Sequence, residues 1–282
     1  MRFTLVLICC AFAVGTASAQ QPLTVNARVV SRSGAGDLPL AFSALLKDQT
    51  DAAWVGYVVP ASAGGDGTGR DDGWSERCRL EQSTVTGVGA PGAAGPVRLE
   101  PSKAVMVLFR LQNHEVQKIR TYSTDCQIDA GGLTLVWLDG VVPAQSVALL
   151  TSLAADRVNQ TQPEMALSAI ALHQDAAATK TLLEFANTGT ARMRQRALFW
   201  IARRAEAKAA ETITAAIDHD PDVEVKKQAV FALSQLPRGE GVPLLIALAR
   251  TSGNPVVRKQ AYFWLGESKD PRALSFFEEV LR

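Results

Sequence analysis

Residues 257–274 read VRKQAYFWLGESKDPRAL, and residues 225–241 read VKKQAVFALSQLPRGEG. The two stretches open alike, and RQRALFWIA at 194–202 repeats the pattern once more, one equal step upstream. In this register Ala197, Ala229 and Ala261 coincide, and so do Phe199, Phe231 and Phe263. Between the copies lie other apolar stretches: LLEFA at 182–186, TITAAI at 212–217, LLIALA at 244–249 and LSFFEEVL at 274–281. A fixed period within roughly 20–50 residues, built from pairs of apolar helices, is the pattern of a helical solenoid. Each unit of such a stack buries its apolar face only against its neighbours.

The spacing within a unit agrees. Val257, Ala261 and Leu265 step by four, as do Val225, Ala229 and Leu233, and each trio makes one apolar stripe on a helix. Alanine at the centre lets the two helices of a hairpin approach closely, while the phenylalanine flanks the stripe and packs against the next repeat. Trp200 and Trp264 read as core packing. Asp220-Pro221, Asn254-Pro255 and Asp270-Pro271 each place a capping side chain before a proline suited to the first helical position. An eroded earlier unit, MALSAI at 165–170, takes the segment 143–156 as its partner. Helices are therefore expected at about 143–156, 163–172, 175–187, 190–204, 206–218, 221–235, 240–250, 254–266 and 270–281.

Asp220-Pro221-x-x-x-Val225-Lys226-x-x-Ala229-x-x-x-Leu233 resembles the HEAT-repeat consensus, in the short variety named after phycobilisome lyases. Pro255-x-Val257-Arg258-x-x-Ala261-x-x-x-Leu265-Gly266 resembles it again, and the likeness covers about 160–282. The C-terminal run is also similar to exported bacterial proteins described only as HEAT-repeat proteins. The resemblance implies a scaffold or adaptor that binds another protein over an extended curved face. Family members carry a ladder of Asp and basic residues between repeats. Asp220 and Lys226 fit its slots here, whereas Ser252 and Thr188 replace the aspartate one repeat later and one earlier.

The first half has a different grammar. From about 20 to 140 the chain is rich in Gly, Pro, Ser, Thr and Val; after 142 it turns to Ala, Leu, Lys, Arg and Glu. LTVNARVV at 23–30, AWVGYVV at 53–59 and LTLVWL at 133–138 read as strands, and 38–47 as one short helix. Residues 104–111 and 115–122 flank Gln112-Asn113-His114 as a hairpin, with Asn113 suited to the turn. Residues 60–75 and 86–96 are Gly-rich loops; ASAGGDGTGRDDG lacks the Lys-Ser/Thr of a phosphate-binding loop and the ligand pattern of a calcium loop. The expected fold is multidomain α+β, with a β-rich N-terminal domain over 20–141 and an α-solenoid of four hairpins plus a closing helix over 142–282.

Arg2, the apolar run 3–14 and Ala17-Ser18-Ala19 follow the plan of a secretory signal peptide cut after Ala19. The run is shorter than the ~20 residues that span a bilayer. Lipid attachment at Cys9 or Cys10 is disfavoured, because Ile8 and Cys9 stand where a small residue is needed. No later stretch is apolar enough to cross a membrane, and the expected location is periplasmic or secreted. Without the leader, 28 basic residues balance 28 acidic ones, so the strong positive field that recruits nucleic acid is missing. The leader also takes two of the four cysteines, leaving Cys78 and Cys126. In an oxidising compartment that pair reads as a disulfide, worth about 4 kcal/mol in the chain-entropy model.

Arg194, Lys226, Lys227, Arg258 and Lys259 precede the repeated apolar blocks and would offer a basic stripe to a partner with an acidic segment. The competing reading is that they are the solvated faces of amphipathic helices. His114, His173 and His219 are the only histidines. The first lies in the expected hairpin turn and the others near helix ends, where capping or surface roles are expected. No metal cluster, nucleophile elbow or Cys–His pair accompanies them, so neither catalysis nor a cofactor is expected. Two other functions compete with the scaffold: a sensory or envelope-structural protein whose N-terminal domain binds the ligand, and a lyase-like helper in cofactor attachment.

Overall fold

The structure is a computed structural model that describes residues 21–62, 77–81, 103–156, 163–204 and 206–282. The expected signal peptide, the Gly-rich loop 86–96 and most of the loop 60–75 lie outside the described residues.

The N-terminal part comprises β1 (Thr24–Val25), β2 (Arg28–Ser33), α1 (Leu38–Asp48), β3 (Ala53–Pro60), β4 (Arg77–Arg79), β5 (Ala104–Gln112), β6 (Glu115–Ser123), β7 (Gln127–Asp129) and β8 (Thr134–Asp139). A five-stranded sheet runs β2-β8-β3-β5-β6, and a three-stranded sheet runs β1-β7-β4. Strand alternation divides the side chains of the larger sheet between two cores. Val55, Tyr57 and Val59 of β3, with Val105, Val107 and Phe109 of β5, face the helices. Trp54, Met106, Leu108, Leu135 and Trp137 face the small sheet, where Leu80 and Ile128 meet them. Gly56 is required on that second face, since a Cβ there would lie 2.8 Å from Leu108 and 3.0 Å from Trp137.

The hairpin turns on Asn113 and His114, both at positive φ (52° and 62°), the two-residue geometry that matches strand twist. The expected strand at 23–30 is corrected. Asn26 at φ 48° breaks it into β1 and β2, and the two pieces join different sheets. Cys78 on β4 is bonded to Cys126 just ahead of β7, Cα–Cα 5.8 Å, which ties together two strands that also pair in parallel.

Nine helices follow among the described residues: α2 (Pro143–Ala155), α3 (Pro163–Ala171), α4 (Ala176–Thr188), α5 (Ala191–Arg203), α6 (Ala209–His219), α7 (Val223–Ser234), α8 (Gly241–Thr251), α9 (Pro255–Gly266) and α10 (Pro271–Val280). They pair as α2/α3, α4/α5, α6/α7 and α8/α9, and α10 closes the stack. Val225, Ala229, Leu233, Val257, Ala261 and Leu265 are all buried, as the four-residue step requires, and so is Ala197. Asn254 and Asp270 cap α9 and α10 ahead of a first-turn proline. The expectation for Asp220-Pro221 is corrected. Helix α7 starts after Asp222, which caps it instead: the Asp222 side chain accepts from Glu224 N at 2.8 Å and Val225 N at 3.3 Å.

The sheet and the solenoid share one uninterrupted core, running from Leu38 and Phe42 through the sheet to Ala273 and Phe276. The polar backbone is joined too. Ser62 N donates to Leu172 O (2.8 Å) and Gln174 N to Pro60 O (3.0 Å), so the end of β3 continues onto the end of α3. A solenoid's first hairpin would otherwise expose an apolar face, and here the sheet covers it.

Candidate functional site on the second helices

The second helices α3, α5, α7 and α9 pack closely on one another, while the first helices touch less. That difference makes the second-helix side the inner, concave side of the curve.

The five basic residues expected to form one stripe divide into two kinds. Arg194, Lys226 and Arg258 are equivalent by the repeat register, and each turns back to close the C-terminus of the first helix of its own hairpin. Arg194 Nη1 donates to Gly189 O at 2.9 Å, Lys226 Nζ to Ile217 O and Asp218 O at 2.5 and 2.8 Å, and Arg258 Nη1 to Ser252 O at 2.5 Å. A cation beside the last carbonyls of a helix satisfies their lone pairs and complements the dipole. These three are architectural and leave little charge to offer. Lys227 is half-buried beside Glu224 (2.9 Å), and Lys259 is exposed with no partner among the described residues.

Arg194 does more. Its Nε and Nη2 grip Asp220 at 2.7 and 2.8 Å, linking two repeats with both side chains largely covered. Burial pushes the Asp220 carboxyl up, but the Arg194 hydrogen bonds and the Asp222 N–H outweigh it and hold the group below its ordinary value. Asp220 fills the acidic slot of the expected ladder, with Arg194 as its basic partner. The ladder rung spans neighbouring repeats, and Lys226 is committed to carbonyls.

The phenylalanines flank the apolar stripe, and two of them meet the next repeat. Phe199 and Phe231 are half-buried and stack at 6.0 Å, nearly parallel. Phe231 then meets Trp264 at 4.6 Å, whereas Phe263 is 54% exposed and has its ring against Trp264 at 4.9 Å. With Trp200 against Phe199 at 5.2 Å, a continuous file of rings crosses three repeats along the inner face instead of lying in the core. Beside it runs a groove of about 320 Å³ lined by Gln195, Glu224, Lys227, Gln228, Phe231, Gln260 and Trp264. Trp264 Nε1 is buried there without a hydrogen-bond partner. Basic or amide residues precede each apolar block in the sequence, with Gln228 and Gln260 at the same place in successive repeats, but only the basic ones are read there as site residues.

His173 was expected at a helix end as a cap or surface group; it is wholly buried. Its Nδ1–H donates to Ala169 O (2.8 Å), which leaves Nε2 to accept from Ser146 Oγ–H at 2.7 Å. Ser146 in turn accepts from the Tyr57 hydroxyl at 2.6 Å. Serine and histidine are thus placed as a nucleophile and its base would be, yet all three side chains are sealed in the core. What the chain of bonds does is pin β3 of the sheet to α2 and α3 of the first hairpin. Burial lowers the His173 pKa and pushes the Tyr57 phenol up, so both stay neutral.

A second hollow, about 510 Å³, lies over the small sheet beside Asn26, Glu81 and Asp129. Its carboxylates are already engaged. Glu81 holds Trp54 Nε1 (2.7 Å) and Arg110 (3.0 Å), and Asp129 accepts from Gly131 N at 3.0 Å. Among the described residues, no group of three or more His, Cys, Asp or Glu side chains could hold a metal ion, and no helix is long and apolar enough to cross a membrane.

With this geometry in hand, residues 210–282 match the family model of HEAT repeats. Among solved structures the chain is similar to human deoxyhypusine hydroxylase in complex with glycerol, at 20% identity and a TM-score of 0.35. That likeness covers 47% of this chain and 43% of the other, so the chain spans less than half of that neighbour. At such a score the neighbour's chemistry carries no argument. No curated protein matches the chain.

Proposed function

We propose that this chain, whose residues 210–282 carry HEAT repeats, is an exported, non-enzymatic scaffold that binds another protein along the inner face of its solenoid. The observation that carries the reading is the file of rings from Trp200 to Trp264 with its amide-lined groove. Aromatic side chains left half-open beside donors and acceptors are the usual anchors of protein recognition. Rigid, repeated helices place these groups at little conformational cost to binding.

The preferred ligand is an extended segment with some acidic residues, since the unpaired Lys259 adjoins the groove residue Gln260, while Lys227 and Glu224 balance each other. Export is supported by the Cys78–Cys126 disulfide, a bond that persists in oxidising compartments. The Ser146–His173 pair is sealed in the core and serves the packing of sheet on helices.

Photo-crosslinking in the cell envelope tests the reading. A crosslinker at Gln228 or Gln260 should capture one protein. Capture should fail in Lys227→Glu/Lys259→Glu, and the same probe at the exposed Ala247 on α8 should not yield that protein. Equal capture from Ala247, or capture indifferent to the charge reversal, would reject the groove as the binding face.

A further inference from the structure

The charge of the inner face changes from one repeat to the next. Glu224, Lys227 and Gln228 line the groove from α7. Their equivalents by the repeat register are Arg192, Gln195 and Arg196 on α5, and Val256, Lys259 and Gln260 on α9. On α7 the Glu224–Lys227 pair, at 2.9 Å, cancels itself. On α5 two arginines share one carboxylate: Arg192 and Arg196 both pair with Glu164 of α3, Arg196 at 3.1 Å. One positive charge is left in excess there, and the two arginine side chains are 79% and 52% exposed. On α9, exposed Lys259 makes no ion pair among the described residues. The face is therefore positive on α5, neutral on α7 and positive on α9, and the stacked rings of Phe199 and Phe231 occupy the interval. Gln195, Gln228 and Gln260 run alongside. Each is half-buried, and none makes a side-chain hydrogen bond among the described residues. A carboxamide carries a donor and an acceptor, the same two functions that the edge of an extended peptide presents.

We propose, building on the inner-face reading above, that this face takes an extended peptide whose two acidic residues stand about six positions apart, with apolar residues at alternate positions between them. The spacing follows from the helices. Packed helices lie about 8–10 Å apart, so α5 and α9, two steps apart, hold their charges at roughly 16–20 Å. An extended chain rises about 3.3 Å per residue and covers that span in about six. Strand side chains alternate, so an even spacing aims both acids and the alternate residues between them at the same surface. The 6.0 Å between the Phe199 and Phe231 rings is close to the ~6.6 Å between alternate residues of a strand, and each ring receives one apolar side chain. A nucleic acid strand fits less well. Its phosphates recur at every nucleotide, and α7 has no net charge to meet the middle ones.

Fluorescence anisotropy with the purified full chain tests the proposal. The probe is a fluorescein-labelled peptide, Gly-Asp-Ser-Leu-Ser-Leu-Ser-Asp-Gly, which should bind saturably at low salt. Asparagine in place of either aspartate, or the second aspartate moved next to the first, should weaken binding about fivefold or more. Arg192→Gln/Arg196→Gln should erase the cost of asparagine at one end of the peptide, and Lys259→Gln the cost at the other. Both variants should keep their unfolding midpoint within a few degrees, because the three side chains are at the surface. General attraction between opposite charges gives no such crossed pattern. A peptide that does not bind, that is indifferent to aspartate spacing, or that polyglutamate or a single-stranded oligonucleotide displaces equally well overturns the proposal. If the crosslinker at Gln228 or Gln260 still captures a protein, the scaffold reading stands without it; if capture fails as well, both fall.

Discussion

Replacing His173 by glutamine should remove a specific acid sensitivity from the folded protein. The imidazole is wholly buried and neutral, accepting from Ser146 and donating to Ala169 O. Burial is the main cause of its lowered pKa; the nearby Arg204 adds to the effect, and the Ala169 bond and Asp175 oppose it. In the unfolded chain the ring titrates near the ordinary value of about 6.5. Below that pH the unfolded state takes up a proton that the native state refuses, so stability falls as pH drops. The slope approaches about 1.4 kcal/mol per pH unit until the folded group itself titrates. Well above the unfolded value the group contributes no pH dependence.

The carboxylates with lowered pKa, Asp220 and Glu81, act in a separate window. Their contribution is present above the unfolded carboxylate range, near pH 4, and is lost only as pH falls through their folded values. Urea titrations followed by the fluorescence of buried Trp54 and Trp137 at pH 7.5, 6.5 and 5.0 isolate the histidine. Wild type should lose on the order of 1 kcal/mol or more between pH 6.5 and 5.0. His173→Gln keeps an acceptor for Ser146 and should start about 1–2 kcal/mol less stable, with a flat profile over that window. An unchanged slope in the variant would refute the burial argument.

Other consequences can be measured directly. Arg194→Met strands the covered Asp220 carboxylate and opens the end of α4, and should cost about 2–3 kcal/mol in urea unfolding. By contrast, Arg196→Ala at a half-exposed pair should stay within about 0.5 kcal/mol. Cys78→Ser/Cys126→Ser should cost up to about 4 kcal/mol, and the wild-type chain should alkylate at these two cysteines only after reduction, read by intact mass. Because one core crosses residue 141, fragments 20–141 and 142–282 should each lack a cooperative unfolding transition, while the joined chain shows a single one by calorimetry.

The helices were legible because their information repeats. Val, Ala and Leu return in each unit at positions that face inward, so noisy copies reinforce one another, and all but two of the helix starts fall within a residue of expectation. The exceptions are the start of α6, and that of α7, where an aspartate–proline pair resembled a cap but Asp220 was claimed by Arg194 from the previous repeat. Strands were visible one at a time, yet their order was not. β8 lies between β2 and β3, a pairing decided by contacts far apart in the chain, on which local composition is silent.

The site divides along the same line. Basic residues were found by type, but whether a cation reaches solvent or a helix end depends on where its own hairpin turns, which is why Lys226 and Arg258 closed helices instead. A lone histidine has no period to reveal it. Only the sheet laid over α3 explains why His173 is buried.

The place of β8 has a consequence for how the chain reaches its native state. β2 and β3 flank a strand that ends at Asp139, so the central part of the sheet cannot form until that distant stretch of chain has been brought back to β2. The helical hairpins ask only for neighbours in sequence, and contacts of that kind form orders of magnitude faster. The segment made last therefore orders early, and the segment made first waits for β8. That delay prolongs the exposure of the apolar face of β3 in the unfolded chain. Chaperone dependence and aggregation should be greatest at this step.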